Sequence, residues 1–407
     1  MTDQGKSFLH LKEKNNLLPL EEKLATKPSG KQLTIGIPKE KNTNERRIPL
    51  APMAIDLLRN NGHRILVEKG AGVEAGFSDS SYSESGAEIV NTAAEAFKAD
   101  IIIKIAPPLI EEINLFGKNK VVFSSLSPLI KTKEYFQELA ERKITAIAYE
   151  FIKDKTGAFP LLRSMSEIIG NASIMIAAEY LSRTDFGKGV MLGGFPGIRP
   201  SLVVILGAGT VAEFAARTAL GMGAEIRIFD DSIYKMRALQ NKLGTRIFTS
   251  IMQPSLLYKS MINADVVIGA KHSSTGDPAC MVSSETIKNM KKGAVIVDVS
   301  IDQGGCFETS RPTSHKHPVY KQFDVTHYCV PNIASRIPHT ASYSISNYLS
   351  PLMIKYGEGG SLESVVTSDK GFGNGVYMYN GILTKEQIGK KFNLSFRDLD
   401  LLLAAFL

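Results

Sequence analysis

The sequence predicts an α/β protein with two mostly parallel sheets, in which one α/β domain is inserted into another and long helices join the two. Short apolar runs alternate with helix-patterned segments, which is typical of βαβ units. The alternation stops near the middle of the chain at an Ala-, Ile- and Met-rich helical segment, and it resumes after a glycine-rich turn. Helical patterning returns toward the C-terminus, so we expect the chain to leave its first domain and come back to it.

Length and composition are those of a multidomain globular protein. The chain has 407 residues, of which 43% are hydrophobic and 22% are charged. At roughly 100–200 residues per domain, it has room for two or three domains. Its net charge is +7, but basic residues are interleaved with acids, as in Glu141-Arg142-Lys143. We therefore predict a solvated surface with a mild basic excess and no nucleic-acid partner.

The number and spacing of the cysteines and the hydropathy of the chain indicate its cellular compartment. The three cysteines, Cys280, Cys306 and Cys329, form no CxxC pair, and an odd number argues against a disulfide framework. The N-terminal residues lack the apolar core of a signal peptide, and no apolar run reaches the ~18–20 residues that span a bilayer. The sequence thus predicts a soluble cytoplasmic protein with no membrane partner and no metal site.

The first series of strands begins after a polar, lysine-rich stretch that ends near Lys31. The segment from Met53 to Asn61 carries apolar residues at helical spacing and stops at Gly62, and residues 93–99 fit another helix. The strands predicted for this series are residues 33–37, 64–68, 100–104, 120–124 and 144–148.

The second series follows the helical segment 170–181 and the turn-rich stretch 193–197. After Pro331 the pattern is helical again, around residues 342–355, and a tail follows Gly360. The strands predicted for the second series are residues 202–206, 225–229, 266–268 and 294–299.

A glycine motif opens the second series. Gly207-Ala208-Gly209-Thr210-Val211-Ala212 follows an apolar strand and precedes a helical segment, which is the context of a dinucleotide-binding turn. Gly207 permits the tight turn, Gly209 lets the backbone approach a pyrophosphate at the helix N-terminus, and Ala212 permits close packing of helix on strand. The second series is therefore predicted to be a Rossmann domain.

An acid stands where such a domain binds the adenosine ribose. Asp230 follows the strand 225–229, about 20 residues beyond the glycines, where a carboxylate bonds the ribose 2′-OH and repels a 2′-phosphate. Asp231 reinforces this preference, although only one of the two need face the ribose. The predicted cofactor is NAD rather than NADP.

These features divide the chain into four segments. We predict an N-terminal extension, the first part of a substrate domain, an NAD-binding Rossmann domain, and a return to the substrate domain that ends in a C-terminal extension. The predicted boundaries are residues 1–32, 33–165, 166–333 and 334–407.

Hydride transfer to NAD from a substrate that carries a carboxylate needs a cation for the carboxylate and an acid/base for the proton. Arg46 and Arg47 follow the first strand, and either could hold a carboxylate or be a solvated surface arginine. Lys104 ends a buried strand, where it could point into the crevice or cap the edge as a surface lysine. Asp302 lies just past a strand and Asp298 lies inside it, and their spacing leaves open which one is the cleft acid.

Several short motifs together carry a family resemblance. The most specific runs from Ile301 to Glu308, IDQGGCFE, and continues through Ser310-Arg311-Pro312-Thr313. The others are Ile37-Pro38-Lys39-Glu40, Asn44-Glu45-Arg46-Arg47, Gly70-Ala71-Gly72, Ala148-Tyr149-Glu150, Met165-Ser166-Glu167 and Gly193-Gly194-Phe195-Pro196-Gly197. From about Thr34 to Leu349 the chain resembles the alanine dehydrogenase and nicotinamide nucleotide transhydrogenase α-subunit family, and within it the alanine dehydrogenases.

The resemblance implies an NAD-dependent oxidative deamination of L-alanine, or a similar small L-amino acid, to pyruvate or another 2-oxo acid, ammonia and NADH, and the reverse reductive amination. It implies that Arg47 binds the substrate carboxylate and that Asp302 acts in catalysis. It also implies a homo-oligomer, since family members usually form homohexamers. The NAD site that it implies comprises Gly207, Gly209, Asp230, Lys235, Ser166, Ile301 and Asn332, the last of which would also meet the substrate.

Two positions depart from the family pattern. Ser127 stands where alanine dehydrogenases carry a catalytic histidine, and a serine is no acid/base near neutral pH, although it can hydrogen-bond a substrate carbonyl or a water. Ala106 stands where they carry the substrate-binding lysine, and Lys104, two residues earlier, could bind the substrate in its place. Asp302 or Lys104 would then manage the proton, or a histidine from elsewhere would, with His339 the first candidate.

These departures keep two other hypotheses open. One is a catalytically weakened NAD-binding or regulatory paralogue that keeps the scaffold. The other is the soluble NAD(H)-binding component of a proton-translocating transhydrogenase, a branch that also lacks the histidine and the lysine but whose loops do not read Asp-Gln-Gly-Gly-Cys-Phe-Glu.

Overall fold

The computed structural model describes residues 30–126, 132–271 and 281–404. The strands are β1 Thr34–Ile37, β2 Arg64–Glu68, β3 Glu88–Val90, β4 Ile101–Ile103, β5 Val121–Ser124, β6 Thr145–Ala148, β7 Leu202–Leu206, β8 Glu225–Phe229, β9 Phe248–Ser250, β10 Val266–Gly269, β11 Val295–Asp298, β12 Val319–Gln322, β13 Val325–Tyr328, β14 Val376–Tyr379 and β15 Ile382–Leu383. The helices are α1 Pro52–Asn60, α2 Asp79–Glu84, α3 Ala93–Ala96, α4 Ile110–Ile113, α5 Lys133–Glu141, α6 Pro160–Ser182, α7 Thr210–Gly221, α8 Ile233–Leu243, α9 Pro254–Ile262, α10 Ser284–Lys288, α11 Pro338–Gly359, α12 Leu362–Ser368, α13 Lys370–Gly373, α14 Glu386–Phe392 and α15 Leu399–Ala404.

The first sheet has the strand order β15-β14-β6-β5-β4-β1-β2-β3 within the described residues. Strands β1 to β6 pair in parallel, whereas β14 is antiparallel to both β6 and β15. Because β14 and β15 come from the end of the chain, the chain returns to this sheet after building the second one.

The second sheet has the strand order β12-β13-β11-β10-β7-β8-β9 in the part of the chain that the structure describes. All of its pairs are parallel except β12 with β13 at one edge. The order reverses direction between β7 and β10, and ligands of doubly wound sheets bind at this switch point, outside the carboxyl ends of the strands.

Burial on both faces of the second sheet explains why its central strands β7 and β10 have no polar side chain. Every residue of β7 is buried, and so is every residue of β10, as expected for parallel strands that are covered on each side by helices. Separate hydrophobic clusters lie on the two faces of each sheet.

The long helices α6 and α11 connect the two sheets along the chain. Helix α6 begins with Pro160 in its first turn, where the missing N–H costs nothing. Its first half contributes Leu161 and Met165 to the core of the first sheet, and its second half contributes Ala172 and Ile174 to the core of the second. The predicted boundary after residue 165 therefore falls inside a helix that both cores share, while the predicted fold class is confirmed.

The described residues contain no helix that is both long and apolar enough to cross a membrane. Cys306 and Cys329 are buried, and Cys280 lies outside the described residues.

Candidate active site

The glycine turn lies between β7 and α7. Gly207 has φ +108°, and a Cβ there would come 2.5 Å from the carbonyl oxygen of Ala270, so the position requires glycine. Gly209 caps α7, and a Cβ there would meet no described atom within 4 Å. Ala212 is fully buried in the first turn of α7. The turn therefore presents its backbone and the helix N-terminus to open space, which is the geometry that a pyrophosphate needs.

Asp230 follows β8 and anchors this turn. Its carboxylate oxygens accept hydrogen bonds from the backbone N–H of Ala208 at 2.8 Å and of Ser232 at 2.8 Å. The residue is only 2% exposed, whereas the side chain of Asp231 is 67% exposed. Lys235 is exposed in the first turn of α8, where its backbone N–H donates to the Ser232 hydroxyl. The predicted ribose acid thus lies beside the glycine turn.

Ser166 and Ile301 lie on the elements that border the turn. Ser166 is on α6, one helical turn before Gly170, and a Cβ at Gly170 would come 2.5 Å from the carbonyl oxygen of Val211 in α7. This close approach brings α6 against the first turn of α7. Ile301 is buried in the 3-10 turn Ile301–Gln303, which follows β11.

Arg47 and Asn332 are brought together by Glu45. The Glu45 carboxylate accepts from Arg47 Nε at 2.8 Å and from Arg47 Nη2 at 2.7 Å. It also accepts from Asn332 Nδ2 at 2.8 Å and from the Ser335 hydroxyl at 3.2 Å. Asn332 has φ +63°, a left-handed conformation that asparagine tolerates. One carboxylate therefore joins the loop between β1 and α1 to the segment that follows β13.

Glu45 and Arg47 each stabilise the charged form of the other. Burial acts to raise the pKa of Glu45, but the Arg47 guanidinium and its hydrogen bonds outweigh it and hold the pKa below the usual value. Burial acts to lower the pKa of Arg47, and Glu45 outweighs it in the opposite direction. The side chains of Arg47 and Glu45 are 13% and 4% exposed. Sequence analysis had named Glu45 only as part of a motif, and no local signal distinguished it from a surface acid.

One nitrogen of the Arg47 guanidinium, Nη1, does not face Glu45. Nε and Nη2 face Glu45, while Nη1 contacts the sulfur of Met165 at 3.5 Å, and a thioether is a weak acceptor. Arg46, by contrast, is more exposed and lies 3.8 Å from Glu74. Of the two candidate arginines, Arg47 is the one that is oriented and buried, which is what capture of a carboxylate requires.

Lys104 is neither a surface lysine nor open to the crevice. Lys104 is only 1% exposed, and its Nζ lies 3.2 Å from the carboxylates of both Glu40 and Glu112. Burial acts to lower the pKa of Lys104, but the two carboxylates outweigh it and raise the pKa. Glu40 also accepts the backbone N–H of Ile105 at 2.6 Å. Lys104 is therefore held as an ammonium in a buried ion cluster, which the surface-lysine alternative did not anticipate.

We predict that Lys104→Met destabilises the protein by about 3–5 kcal/mol, because it leaves two carboxylates buried without their cation. Urea unfolding measures the effect. Lys390→Met is the matched control, since it removes an exposed pair with Glu386 and is expected to cost about 0.5 kcal/mol or less. Equal stability of the two variants would contradict the structural role of Lys104.

Asp298 and Asp302 occupy different environments. Asp298 is fully buried and accepts from the backbone N–H of Ser300 at 3.1 Å and of Cys306 at 2.9 Å, and from the Ser310 hydroxyl at 2.5 Å. Burial raises its pKa to about 6, and the charge of Asp302 adds to the rise. Asp302 is exposed, in the 3-10 turn after β11. Asp298 thus holds the loop together, and Asp302 is the acid on its accessible side.

His339, the histidine predicted as the first candidate for the acid/base, does not adjoin the Arg47 cluster. His339 stacks on Phe77 with ring centroids 4.6 Å apart, and its Nδ1 lies 2.8 Å from the carbonyl oxygen of Ala75. His315, which sequence analysis missed, donates its backbone N–H to Asn44 Oδ1 at 3.3 Å. Burial and the charge of Arg46 lower the pKa of its imidazole, and the neighbouring backbone of Asn332 acts in the opposite direction. Its Nε2 is buried and has no hydrogen-bond partner among the described residues. His315, rather than His339, therefore adjoins the Arg47 cluster.

The structure describes only one of the two residues that depart from the family pattern. Ser127 lies outside the described residues. Ala106 is half-buried next to the ion cluster, and its backbone N–H lies 3.4 Å from Glu40.

The fold and the glycine turn together define a dinucleotide-binding α/β protein with a second α/β domain. Family models for alanine dehydrogenase/PNT match both parts, the N-terminal domain over residues 36–169 and the C-terminal domain over residues 173–386. The chain belongs to the alanine dehydrogenase/PNT family, which confirms the resemblance.

Relatives cover nearly the whole chain. An alanine dehydrogenase of Mycolicibacterium smegmatis is 36% identical over 90% of this chain and 98% of its own length. One of Methanococcus maripaludis is 37% identical over 89% of this chain and 98% of its own. A solved L-alanine dehydrogenase superposes with a TM-score of 0.83 at 34% identity, over 89% of this chain and 99% of that one. A transhydrogenase from Sinorhizobium meliloti, at TM-score 0.74 and 23% identity over 87% of this chain and 99% of its own, shares the fold.

Proposed function

We propose that this protein catalyses the NAD-dependent oxidative deamination of L-alanine, or of a similar small L-amino acid, to the 2-oxo acid, ammonia and NADH, and the reverse reductive amination. The observation that carries the proposal is the buried Arg47, held by Glu45 next to Asn332, in a family member whose relatives are alanine dehydrogenases. NAD is the cofactor, as expected for this family and for the acid after β8.

The substrate carboxylate would bind Arg47. Glu45 fixes the plane of the guanidinium through two hydrogen bonds, so little side-chain freedom is lost when a second carboxylate approaches Nη1. Glu45 also fixes the amide of Asn332. Asn332 would therefore be positioned to meet both the substrate and the cofactor's nicotinamide end, beside Ile301.

The cofactor would bind along the second sheet. Bound NAD supplies the acceptor for the hydride that leaves the substrate Cα. Gly207, Gly209 and Ala212 shape the turn, Asp230 would receive the adenosine ribose, and the remaining contacts proposed are Ser166, Lys235, Ile301 and Asn332. Ser166 is suited to the phosphates because α6 packs against the first turn of α7.

Asp302 would manage the proton and the water that replaces the amine. It is exposed on the 3-10 turn after β11, at the carboxyl edge of the sheet where the reacting groups are expected to meet. Ser127 is a further candidate, limited to hydrogen bonding. Lys104 is the other, but it is enclosed between Glu40 and Glu112 and would have to leave these carboxylates to act. His315 adds an imidazole whose Nε2 is unpaired among the described residues.

A catalytically weakened NAD-binding paralogue is the second candidate function. The replacement of the family's lysine by Ala106 and of its histidine by Ser127 favours it. We also infer a cytoplasmic homo-oligomer, a hexamer by family resemblance, and sedimentation of the purified chain would measure its size.

The proposal is tested by NADH formation at alkaline pH with L-alanine and a panel of other small L-amino acids. Turnover of L-alanine or a close analogue supports it. Binding of NADH without turnover of any amino acid would favour the weakened paralogue instead.

A further inference from the structure

A cavity of about 510 Å³ lies in the first domain, between the segment that joins β6 to α6 and the C-terminal hairpin of β14 and β15. Its volume falls in the range of small-molecule binding sites, roughly 300–1,000 Å³. The residues that give the cavity its charge and shape include Lys153, Phe159, Asn374, Thr384 and Lys385.

The two lysines of this cavity have no acidic partner. In the part of the chain that the structure describes, neither Lys153 nor Lys385 forms an ion pair, although both residues are half-buried. The Nζ of Lys153 instead lies 5.3 Å from the centre of the Phe159 ring. Other enclosed lysines of this chain are paired, as Lys188 is with Asp265 at 2.9 Å. Two half-buried ammonium groups without a carboxylate indicate a place for an anion.

The electrostatics of the cavity support this interpretation. Burial lowers the pKa of Lys385, Asp398 acts in the opposite direction, and the charge of Lys153 lowers the pKa further. The two ammonium groups are therefore close enough to repel each other. Of the described lining residues only Glu386 is acidic, and its carboxylate already pairs with Lys390 at 2.7 Å. An anion between the two lysines would remove their repulsion.

Backbone hydrogen bonds fix the segments that carry the two lysines. The Lys153 N–H donates to the carbonyl oxygen of Gly371 at 3.1 Å. Thr384, which immediately precedes the second lysine, donates its N–H to the carbonyl oxygen of Tyr377 at 2.9 Å and its hydroxyl to that of Val376 at 2.8 Å. Because the backbone is already ordered, a ligand that binds here loses little affinity to the ordering of loops.

The rest of the lining suits a ligand with an apolar ring. Phe151, Phe159 and Ile388 supply apolar surface, and Asn374 and Gln387 supply amide groups that can donate to phosphate or carboxylate oxygens. Apolar walls with a few polar groups are typical of sites that bind small molecules. Inorganic anions would use the polar groups but leave the apolar surface uncovered.

We propose that this cavity binds a small aromatic anion, with its carboxylate or phosphate group between the ammonium groups of Lys153 and Lys385 and its ring against Phe151 and Phe159. The cavity shares no described residue with the proposed cofactor and substrate sites. The inference therefore goes beyond the proposed function and does not depend on it.

Calorimetric titration of the full chain with phenyl phosphate and with benzoate tests the proposal and distinguishes a phosphate ligand from a carboxylate. Inorganic phosphate and acetate are the matched probes without a ring. We expect one aromatic anion to bind about tenfold or more tightly than its matched probe, because the ring leaves water on binding. The titrations are repeated with saturating NADH, which would displace an anion from the glycine turn but not from this cavity.

Lys153→Met and Lys385→Met are each expected to weaken binding of that aromatic anion about tenfold or more, the size of one charge-assisted hydrogen bond. NADH binding should change less than about twofold in both. The two variants lie on separate segments, so a folding defect in one leaves the other as the test. Lys118→Met is the matched control, because Lys118 is an exposed lysine before β5 that does not line the cavity.

Three results would overturn the proposal. The first is that neither aromatic anion binds, and the second is that saturating NADH abolishes the binding. The third is that Lys153→Met and Lys385→Met bind the anion as tightly as Lys118→Met does. A chain that binds the aromatic anion but not NADH would count against the proposed function alone.

Discussion

Asp302→Asn is expected to lower kcat for NADH formation from L-alanine by about 10²–10⁴-fold, the usual contribution of a positioned acid/base. The amide keeps the shape of the side chain but takes up no proton. Because Asp302 lies on the exposed side of a loop that is held by Asp298, the variant is expected to fold and to bind NADH as before. Steady-state kinetics together with NADH titration measure both effects.

Asp324→Asn is the control for this experiment, since Asp324 is an exposed acid of the same sheet, paired with Lys292. It should leave kcat unchanged. If Asp302→Asn retains activity within a few-fold, the proton must be managed by another group. His315 would then be the first residue to replace, because its unpaired imidazole nitrogen adjoins Asn332.

Arg47→Met is expected to lower kcat/KM for L-alanine by about 10–10²-fold, mainly through KM, because a charge-assisted hydrogen bond to the substrate carboxylate stabilises ground state and transition state alike. The neighbouring Arg46 is the control, since Arg46→Met removes an equal charge from a more exposed position. We expect Arg46→Met to change kcat/KM by less than about threefold, as an exposed pair contributes little.

Arg47→Met also leaves Glu45 buried without its partner, which can reduce stability on its own account. The double variant Arg47→Met/Glu45→Gln removes the unpaired charge and separates the two effects. Recovery of activity in the double variant would show that Arg47 serves only to neutralise Glu45, and would contradict its role in carboxylate binding.

The apolar pattern predicted most of the interior strands, but it missed the buried strand β13, Val325–Tyr328, and its neighbour β12 at the edge. β2, β7 and β8 match the predicted residues, and β1, β5 and β6 begin one residue later than predicted. Most residues of these strands are buried, and only β8 has a charged residue, Arg227, inside its apolar run. The edge strands β3 and β9 were missed, because each is three residues long and partly exposed, and so has no distinctive composition. The strands β14 and β15 were missed as well, since their place in the first sheet depends on pairing with β6.

Side-chain partners were harder to predict than strands. The sequence placed Arg47 near a carboxylate ligand but gave no sign that Glu45 would bind Asn332, which is 287 residues away. The same holds for His315, whose ring meets the backbone of Asn332 after the chain has passed through two more strands. Such contacts depend on how separate segments pack, and no local spacing encodes them.

The sequence alone determined the fold class, the dinucleotide turn and the acid at Asp230. Each depends on a local rule, namely the length of an apolar run, a glycine where φ is positive, or a residue at the end of a strand. The tertiary structure alone decided that Lys104 is enclosed between Glu40 and Glu112 and that Lys271 reaches Asp231. The physical reason is that a charged side chain takes its environment from the elements that fold against it, so its burial and its partners are set by the packing of distant segments.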